Sequence, residues 1–410
     1  MTDVLPFTSI IPLILVKIGE IFFDPLFWLV VLLVGLMYRR TFQLKENFFG
    51  LTGDSVWREV VAATIFGVMG GVLGSFLLVL AGVSLTNIGI SYLWPVAVLL
   101  MLINPRFLCF SYAGGLISLS YLILGWPIVD VPQLMGLVAI LHMVESVLIR
   151  FSGHLGAVPV YMQSGNGQVA GAFNLQKFWP LPLVGLVIVS QAPEASQVIS
   201  VPQWWPLIKP NLSRLAPDAS YVFIPILAAL GYSDLAMAST PAQKSKKSGF
   251  ELGIYSIILL GLAIAASHYR WLAWLPALFG PLAHEYLIRR GQKAELSGRP
   301  IYVAAPNGVK ILSVERVSPA AELGLKSGDI IISVNGQKVF NRFELAAILE
   351  NSSGHLNFEV KRGSRLEQVK GYKPLGKPFG IIPVPEVAEE HYIEMSSQGI
   401  LNRLIRKFKG

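Results

Sequence analysis

Cysteine and charge are both scarce in this chain, and each shortage excludes something. Cys109 is the single cysteine among 410 residues, which leaves no internal disulfide and no cysteine metal cluster. Set in an apolar run, it is expected only to pack. Charged residues make up 14% of the chain, against about 25% in soluble domains. The shortage is also lopsided: residues 1–290 and 291–410 hold 29 charged residues each, although the first stretch is more than twice as long. The two parts are therefore built for different solvents, bilayer first and water second. A short apolar core ending in a small-residue cleavage site is missing too, so the first apolar segments are expected to stay in the mature protein. The net charge of +8 is what cytoplasmic loops and anionic lipid call for, and nucleic acid is not needed to explain it.

What is present is oil. Crossing about 30 Å of hydrocarbon takes about 20 apolar residues, and such stretches fall at 21–38, 60–82, 85–104, 107–125, 133–149, 179–198, 218–236, 251–268 and 271–288. The sixth is the weakest, because VIVSQAPEASQVIS turns polar halfway. Residues 6–16 are apolar as well, but Lys17 and Glu20 make them an interfacial candidate. Eight or nine spans are expected. With residue 1 outside and nine crossings, Arg39, Arg40, Lys45, Arg58, Arg106, Arg150, Lys177, Lys244, Lys246, Lys247, Arg289 and Arg290 lie inside, against Lys17, Lys209, Arg214 and Arg270 outside. That bias is the positive-inside pattern, and it puts everything after Arg290 in the cytoplasm.

After a linker over 291–305 the pattern changes to short strands, VKILSVERV, DIIISVNGQKV and LNFEVKRG, with one helix, NRFELAAILEN, between the last two. The stretch SPAAELGLKSGDIIISVNG carries several turn signals at once. Pro319, Ala320 and Ala321 open a short helix that Gly324 ends, Leu325 points inward, and Lys326 to Asp329 turn the chain into a strand. Asn335-Gly336 is a tight turn requiring positive φ. This pattern resembles the PDZ domain of bacterial membrane proteins and proteases, which captures an extended peptide as an added strand. The resemblance implies a groove bordered by Lys377-Pro378-Phe379-Gly380-Ile381-Ile382-Pro383, whose backbone N–H groups would receive a terminal carboxylate. Phe379, Gly380, Ile381 and Ile382 would then be peptide contacts, with Phe343 and Leu349 on the opposite helical wall. The other reading of that segment is simply the closing strand of the domain.

Catalytic signatures are thin. Membrane zinc proteases use His-Glu-x-x-His on a helix. AHEYLIRR supplies His284 and Glu285, but Ile288 stands at the second histidine position and no Asp-Gly partner motif follows. No enzyme, metal or cofactor is therefore expected. His142 and Glu145 share one helix face inside an apolar stretch; they suit a satisfied internal pair or, alternatively, a transporter's proton relay. Gly67-xxx-Gly71 and Gly70-xxx-Gly74 suit close approach of two spans, within one chain or between copies. The C-terminal GILNRLIRKFKG places Ile400, Leu401, Leu404, Ile405 and Phe408 opposite Arg403, Arg406, Lys407 and Lys409, as an inner-leaflet helix, a partner-docking segment or a solvated tail would.

Three stretches, IFFDPLFWLVVLLVGLMYRR, VPVYMQSGNGQVAGAFNLQKFWPLPL and SGDIIISVNG through PFGIIPVPE, are similar to the MinJ-like family of multi-span PDZ membrane proteins in Gram-positive division-site selection. The resemblance implies a non-enzymatic adaptor between a DivIVA-type polar scaffold and a MinD-type division inhibitor. The expected fold is a polytopic α-helical membrane bundle (1–290), the linker (291–305), a small α+β PDZ-like cytoplasmic domain (306–385) and a basic amphipathic tail (386–410). A diverged intramembrane protease and a transporter, each with a regulatory PDZ domain, are the alternatives.

Overall fold

The computed structural model describes residues 5, 7–50, 55–189, 202–211, 220–386 and 389. It opens with helices α1 (Phe7–Ile21), α2 (Pro25–Phe49), α3 (Val56–Ala81), α4 (Ile90–Ile103), α5 (Phe110–Leu124) and α6 (Val131–Ser152). Strands β1 (Val158–Gln163), β2 (Val169–Val189) and β3 (Ser220–Ala236) follow, then α7 (Pro241–His268) and α8 (Trp274–Ser297). Helix boundaries follow local chemistry. The Asp24 carboxylate accepts the Leu26 N–H at 2.8 Å, with Pro25 at the first helical position. Thr240 and Gln243 form a reciprocal capping box at α7. Four helices, α2, α3, α6 and α7, are long and apolar enough to cross a membrane. Apolar side chains such as Trp28, Leu32, Ile65, Met69 and Ile257 remain on their outer faces, as lipid contact requires.

The eight or nine helical spans need correcting. The stretches 179–198 and 218–236 are not helices where they are described: 179–189 lies in β2 and 220–236 in β3. The two strands pair antiparallel from Phe173↔Ala236 to Val189↔Ser220. They nevertheless run the length of α3. Lys177 sits at Glu59 in the first turn of α3, and the Leu186 carbonyl meets the Leu85 N–H, four residues beyond that helix's end, at 2.7 Å. The nine residue steps between them cover about 30 Å at about 3.3 Å each. That matches the hydrocarbon thickness of about 30 Å and lies within the roughly 39 Å rise of α3's 26 residues. Periodicity missed β2 because a strand buried on both faces reads as an uninterrupted apolar run.

A strand edge inside an apolar body must satisfy its own backbone, and the sequence of β2 explains how it does. Pro180 and Pro182 remove two N–H groups from the edge facing α3. The Tyr38 hydroxyl accepts the Phe178 N–H (3.2 Å), the Ser75 hydroxyl accepts the Val184 N–H (2.8 Å), and Thr86 Oγ1 accepts the Ile188 N–H (2.7 Å). The carbonyls of Pro180 and Pro182 press against Gly67 and Gly71, where any β-carbon would lie 2.1 Å from the oxygen. Gly70 abuts Val144 and Leu148 of α6, and Gly74 abuts both Leu183 of β2 and Val144 of α6. The small-residue surface of α3 therefore seats a strand on one side and a helix on the other, both within this chain.

The C-terminal part folds as strands β4 (Val309–Val314), β5 (Ile330–Val334), β6 (Gln337–Lys338), β7 (Gly354–Arg362), β8 (Arg365–Lys373) and β9 (Ile381–Pro383), with helices α9 (Pro319–Glu322) and α10 (Arg342–Asn351). The sheet order is β8-β7-β5-β4-β9, with β6 paired to β5. Its own core includes Ile311, Ile331, Val334, Leu345, Phe358 and Val360. Asn335 and Gly336 adopt φ of 51° and 81°, as the Asn-Gly turn requires.

This small domain is docked. Tyr302 pairs with Gly171 of β2 (N–H to carbonyl 2.8 Å), where a β-carbon on Gly171 would come within 2.8 Å of Leu312. Leu312, Ile382 and Val384 join the core of the helical body. Two ion pairs of reversed polarity cross the junction: Lys45 of α2 with Glu315 at 2.5 Å, and Glu59 of α3 with Arg316 at 3.3 Å. Glu59 also holds the buried Lys177 at 2.7 Å.

Candidate peptide-binding groove

β9 ends the sheet, so one of its edges is open to a further strand. The Gly380 carbonyl accepts the Glu315 N–H, and the Val384 N–H donates to the Lys310 carbonyl, so residues 380, 382 and 384 face β4. By alternation Ile381 and Pro383 face outward. Pro383 has no N–H, and its carbonyl accepts the Tyr161 hydroxyl of β1 at 2.8 Å. Burial pushes the Tyr161 phenol up to about 12, so it stays protonated and donating. The outward edge therefore offers a peptide one complete N–H and C=O pair, that of Ile381.

The turn before it is tightly specified. Gly380 has φ +84°, and a β-carbon there would lie 2.2 Å from that of Ser318. The Phe379 carbonyl accepts the Ala320 N–H, while Ser318 caps α9 through the Ala321 N–H at 3.2 Å. Asp329 fixes the next turn, accepting the Lys326 N–H and a two-pronged contact from Arg362 at 2.7 and 3.0 Å. Hydrogen bonding to Asp329 raises the Arg362 pKa further.

The six expected contacts separate by role. Phe379 is buried and stacks on Phe358 at 5.1 Å; Leu349 is buried in the same core, and Ile382 is buried in the junction with the body. Gly380 and Ile381 present backbone. Phe343 is 67% exposed, under the Arg342 guanidinium at 4.8 Å. The Arg342 N–H donates to Glu386, and its side chain pairs with Glu389, so the chain leaving β9 crosses the start of α10. Tyr161 was invisible to sequence reasoning: it lies 222 positions from Pro383, and no motif marks it.

The groups weighed for catalysis and transport have other company. Glu285 accepts from the Tyr112 hydroxyl (2.6 Å) and pairs with Arg106 and Arg289, an ion-pair hub unlike a water-activating base. His142 does not bond Glu145: its Nδ1 lies 2.7 Å from the Val138 carbonyl and its Nε2 3.2 Å from Cys109 Sγ. The terminal segment 390–410 falls outside the described residues.

Comparison with known proteins bears on the domain that carries this edge. The PDZ family model, PDZ_6, matches residues 310–362. The chain is similar to the cell division topological determinant MinJ of Bacillus subtilis, 25% identical over 280 residues, which are 66% of this chain and 65% of that one. The match thus spans just under two thirds of MinJ's length. The periplasmic serine endoprotease DegP of Salmonella typhimurium is 46% identical over 56 residues, only 14% of this chain and 12% of its own. Among solved structures, the PDZ domains of SdrC-like proteins from Listeria monocytogenes and Listeria innocua are 22% and 23% identical. They cover 20% and 21% of this chain and 90% and 100% of their own, at a TM-score of 0.18 in each case, too low to bear on function. The chain is thus similar to MinJ over much of its length, with several long apolar helices and a PDZ domain, a module for binding protein partners.

Proposed function

We propose that this chain is a multi-pass, non-enzymatic membrane adaptor that recruits division-site proteins to the inner face of the membrane through its PDZ groove. The domain division into body (1–290), connecting segment (291–305), PDZ domain (306–385) and basic tail (386–410) belongs to the same reading, with the tail on anionic lipid. Its partners, by the resemblance, are a DivIVA-type polar scaffold and a MinD-type inhibitor. The cytoplasmic orientation draws support from the hairpin, which carries the chain up α3 and back as two helical spans would. The basic residues at the ends of α2, α6 and α8 and at the starts of α3 and α7 then lie on the PDZ side.

The observation that carries the reading is the outward Ile381 edge beside the Gly380 turn, the place where a peptide adds as a strand. Ile381→Pro removes the outward N–H at an edge position where proline is tolerated. In the full-length protein, the variant is expected to lose recruitment of its partner to the division site while keeping membrane insertion and wild-type protease resistance. Undiminished recruitment by a folded variant overturns the groove as the recruiting element.

A further inference from the structure

Three separate elements bring soft and borderline metal ligands together in the body. Cys109 caps the N-terminus of α5, His142 lies mid-way along α6, and His284 lies mid-way along α8. Cys109 Sγ is 3.2 Å from His142 Nε2 and 3.8 Å from His284 Nε2, and the three ligand atoms all lie within 4.8 Å of one another. A tetrahedral zinc with about 2.3 Å to sulfur and about 2.0–2.1 Å to nitrogen sets its ligand sulfur and nitrogen about 3.6 Å apart. The two observed separations bracket that value.

The surroundings favour the same conclusion. The Val138 carbonyl can only accept, so His142 Nδ1 carries its proton and Nε2 turns a lone pair toward the sulfur. Cys109 accepts the Ser111 N–H at 3.4 Å at the start of α5, so its sulfur already faces a donor as a ligand atom would. Among the described residues, His284 Nδ1 is buried without a hydrogen-bond partner, and Nε2 has the long sulfur contact alone. A thiol donating to His142 would satisfy one imidazole and leave the second without purpose in an apolar interior. Glu145, one turn along α6 from His142, has no hydrogen bond or ion pair among the described residues.

We propose that Cys109, His142 and His284 bind one zinc ion, clipping α5, α6 and α8 together and leaving a fourth position for water or Glu145. Cys109, expected from sequence only to pack, thereby becomes a ligand, and His284 is a ligand without the second histidine of a protease helix. The proposal is independent of the peptide groove.

Because Cys109 is the sole cysteine, thiol labelling reads this site alone. The full-length protein, purified in detergent without a histidine tag, is expected to carry zinc. Exchange with cobalt should give thiolate-to-metal charge-transfer absorption and tetrahedral d–d bands. Zinc should slow maleimide labelling of Cys109 at least about tenfold, and chelator should reverse this. Cys109→Ser, matched in size, should abolish the charge-transfer band with helicity unchanged. His284→Ala should weaken metal binding at least about tenfold. Folded wild-type protein that takes up neither metal, or whose Cys109 labels equally fast with and without zinc, overturns the proposal.

Discussion

The Lys45–Glu315 pair offers the sharpest test of whether the PDZ domain is a fixed part of the body. Both side chains are nearly sealed from solvent, at 8% and 6% exposure. Glu315→Ala takes the paired carboxylate away from the Lys45 ammonium in that interior. Removing one partner of a buried pair costs about 3–5 kcal/mol, whereas an exposed pair is worth about 0–1 kcal/mol. At about 1.4 kcal/mol per factor of ten, the undocked population should rise by roughly two to three and a half orders of magnitude. Hydrogen exchange reads this directly, because the Gly171 amide donates to Tyr302 across the junction and exchanges only when that segment lifts. The Gly171 amide should lose protection in Glu315→Ala while amides within β7 keep theirs. The pair Lys45→Met with Glu315→Met replaces both charges by apolar groups and should restore protection to wild-type levels or better. Protection of Gly171 unchanged within about fivefold in the single variant, a loss of under about 1 kcal/mol, would refute the burial argument and mark the junction as solvated.

Three further outcomes follow from single contacts. Gly380→Ala forces a side chain into the left-handed region, at about 1–2 kcal/mol, and into the Ser318 β-carbon; the PDZ domain should melt several degrees lower in full-length protein, and peptide capture by pull-down should fail. Ser75→Ala leaves the Val184 N–H of β2 without its acceptor, costing about 1–3 kcal/mol, read as lower thermal stability in detergent, with Ser75→Thr less harmful than Ser75→Ala. Burial, then Lys246 and Lys177, hold the His154 imidazole below its ordinary value of 6.5. The folded state thus resists a proton that the unfolded chain accepts, so stability is full above pH 6.5 and falls as pH drops below it. His154→Gln should flatten that acid limb of a melting-temperature profile.

The soluble domain was legible because its signals are local. The Asn335-Gly336 turn, the short helix from Pro319 to Gly324 and the Gly380 turn each need a particular backbone, and the residues that supply it are adjacent in sequence. The body was legible as a run of long apolar segments but not in its conformation. Leu181, Leu183, Val184 and Leu186 of β2 are buried, so the alternation that marks a strand is absent and the hydrophobic run reads as helix. Pro180 and Pro182, two positions apart, were the signal available: a proline pair at that spacing disfavours a helix interior and suits one edge of a strand. The glycine stripe of α3 was read correctly as a close-approach surface, but a stripe of small residues does not say whether a helix or a strand lies against it. The cluster of Cys109, His142 and His284 depends on tertiary contact between three segments, which no spacing rule reports.

Docking also limits what the groove can hold. A peptide added to β9 would meet Ile381 and then Pro383, which has no donor and whose carbonyl is already bonded to Tyr161. Backbone pairing therefore stops after about one residue on that edge unless Tyr161 lets go. Such a site suits the last few residues of a chain, anchored by a carboxylate at the Gly380 turn, better than an internal segment running the length of the groove. Tyr161→Phe separates the two cases, since it keeps the ring against Phe49 and deletes only the hydroxyl. The freed Pro383 carbonyl should accept from an incoming peptide and lengthen the ladder, tightening binding of peptides of five or more residues by about 1 kcal/mol, roughly fivefold, with little change for a two-residue carboxy terminus. Equal gains for both lengths, or none for either, would show that the Tyr161 hydroxyl is not the limit on that edge.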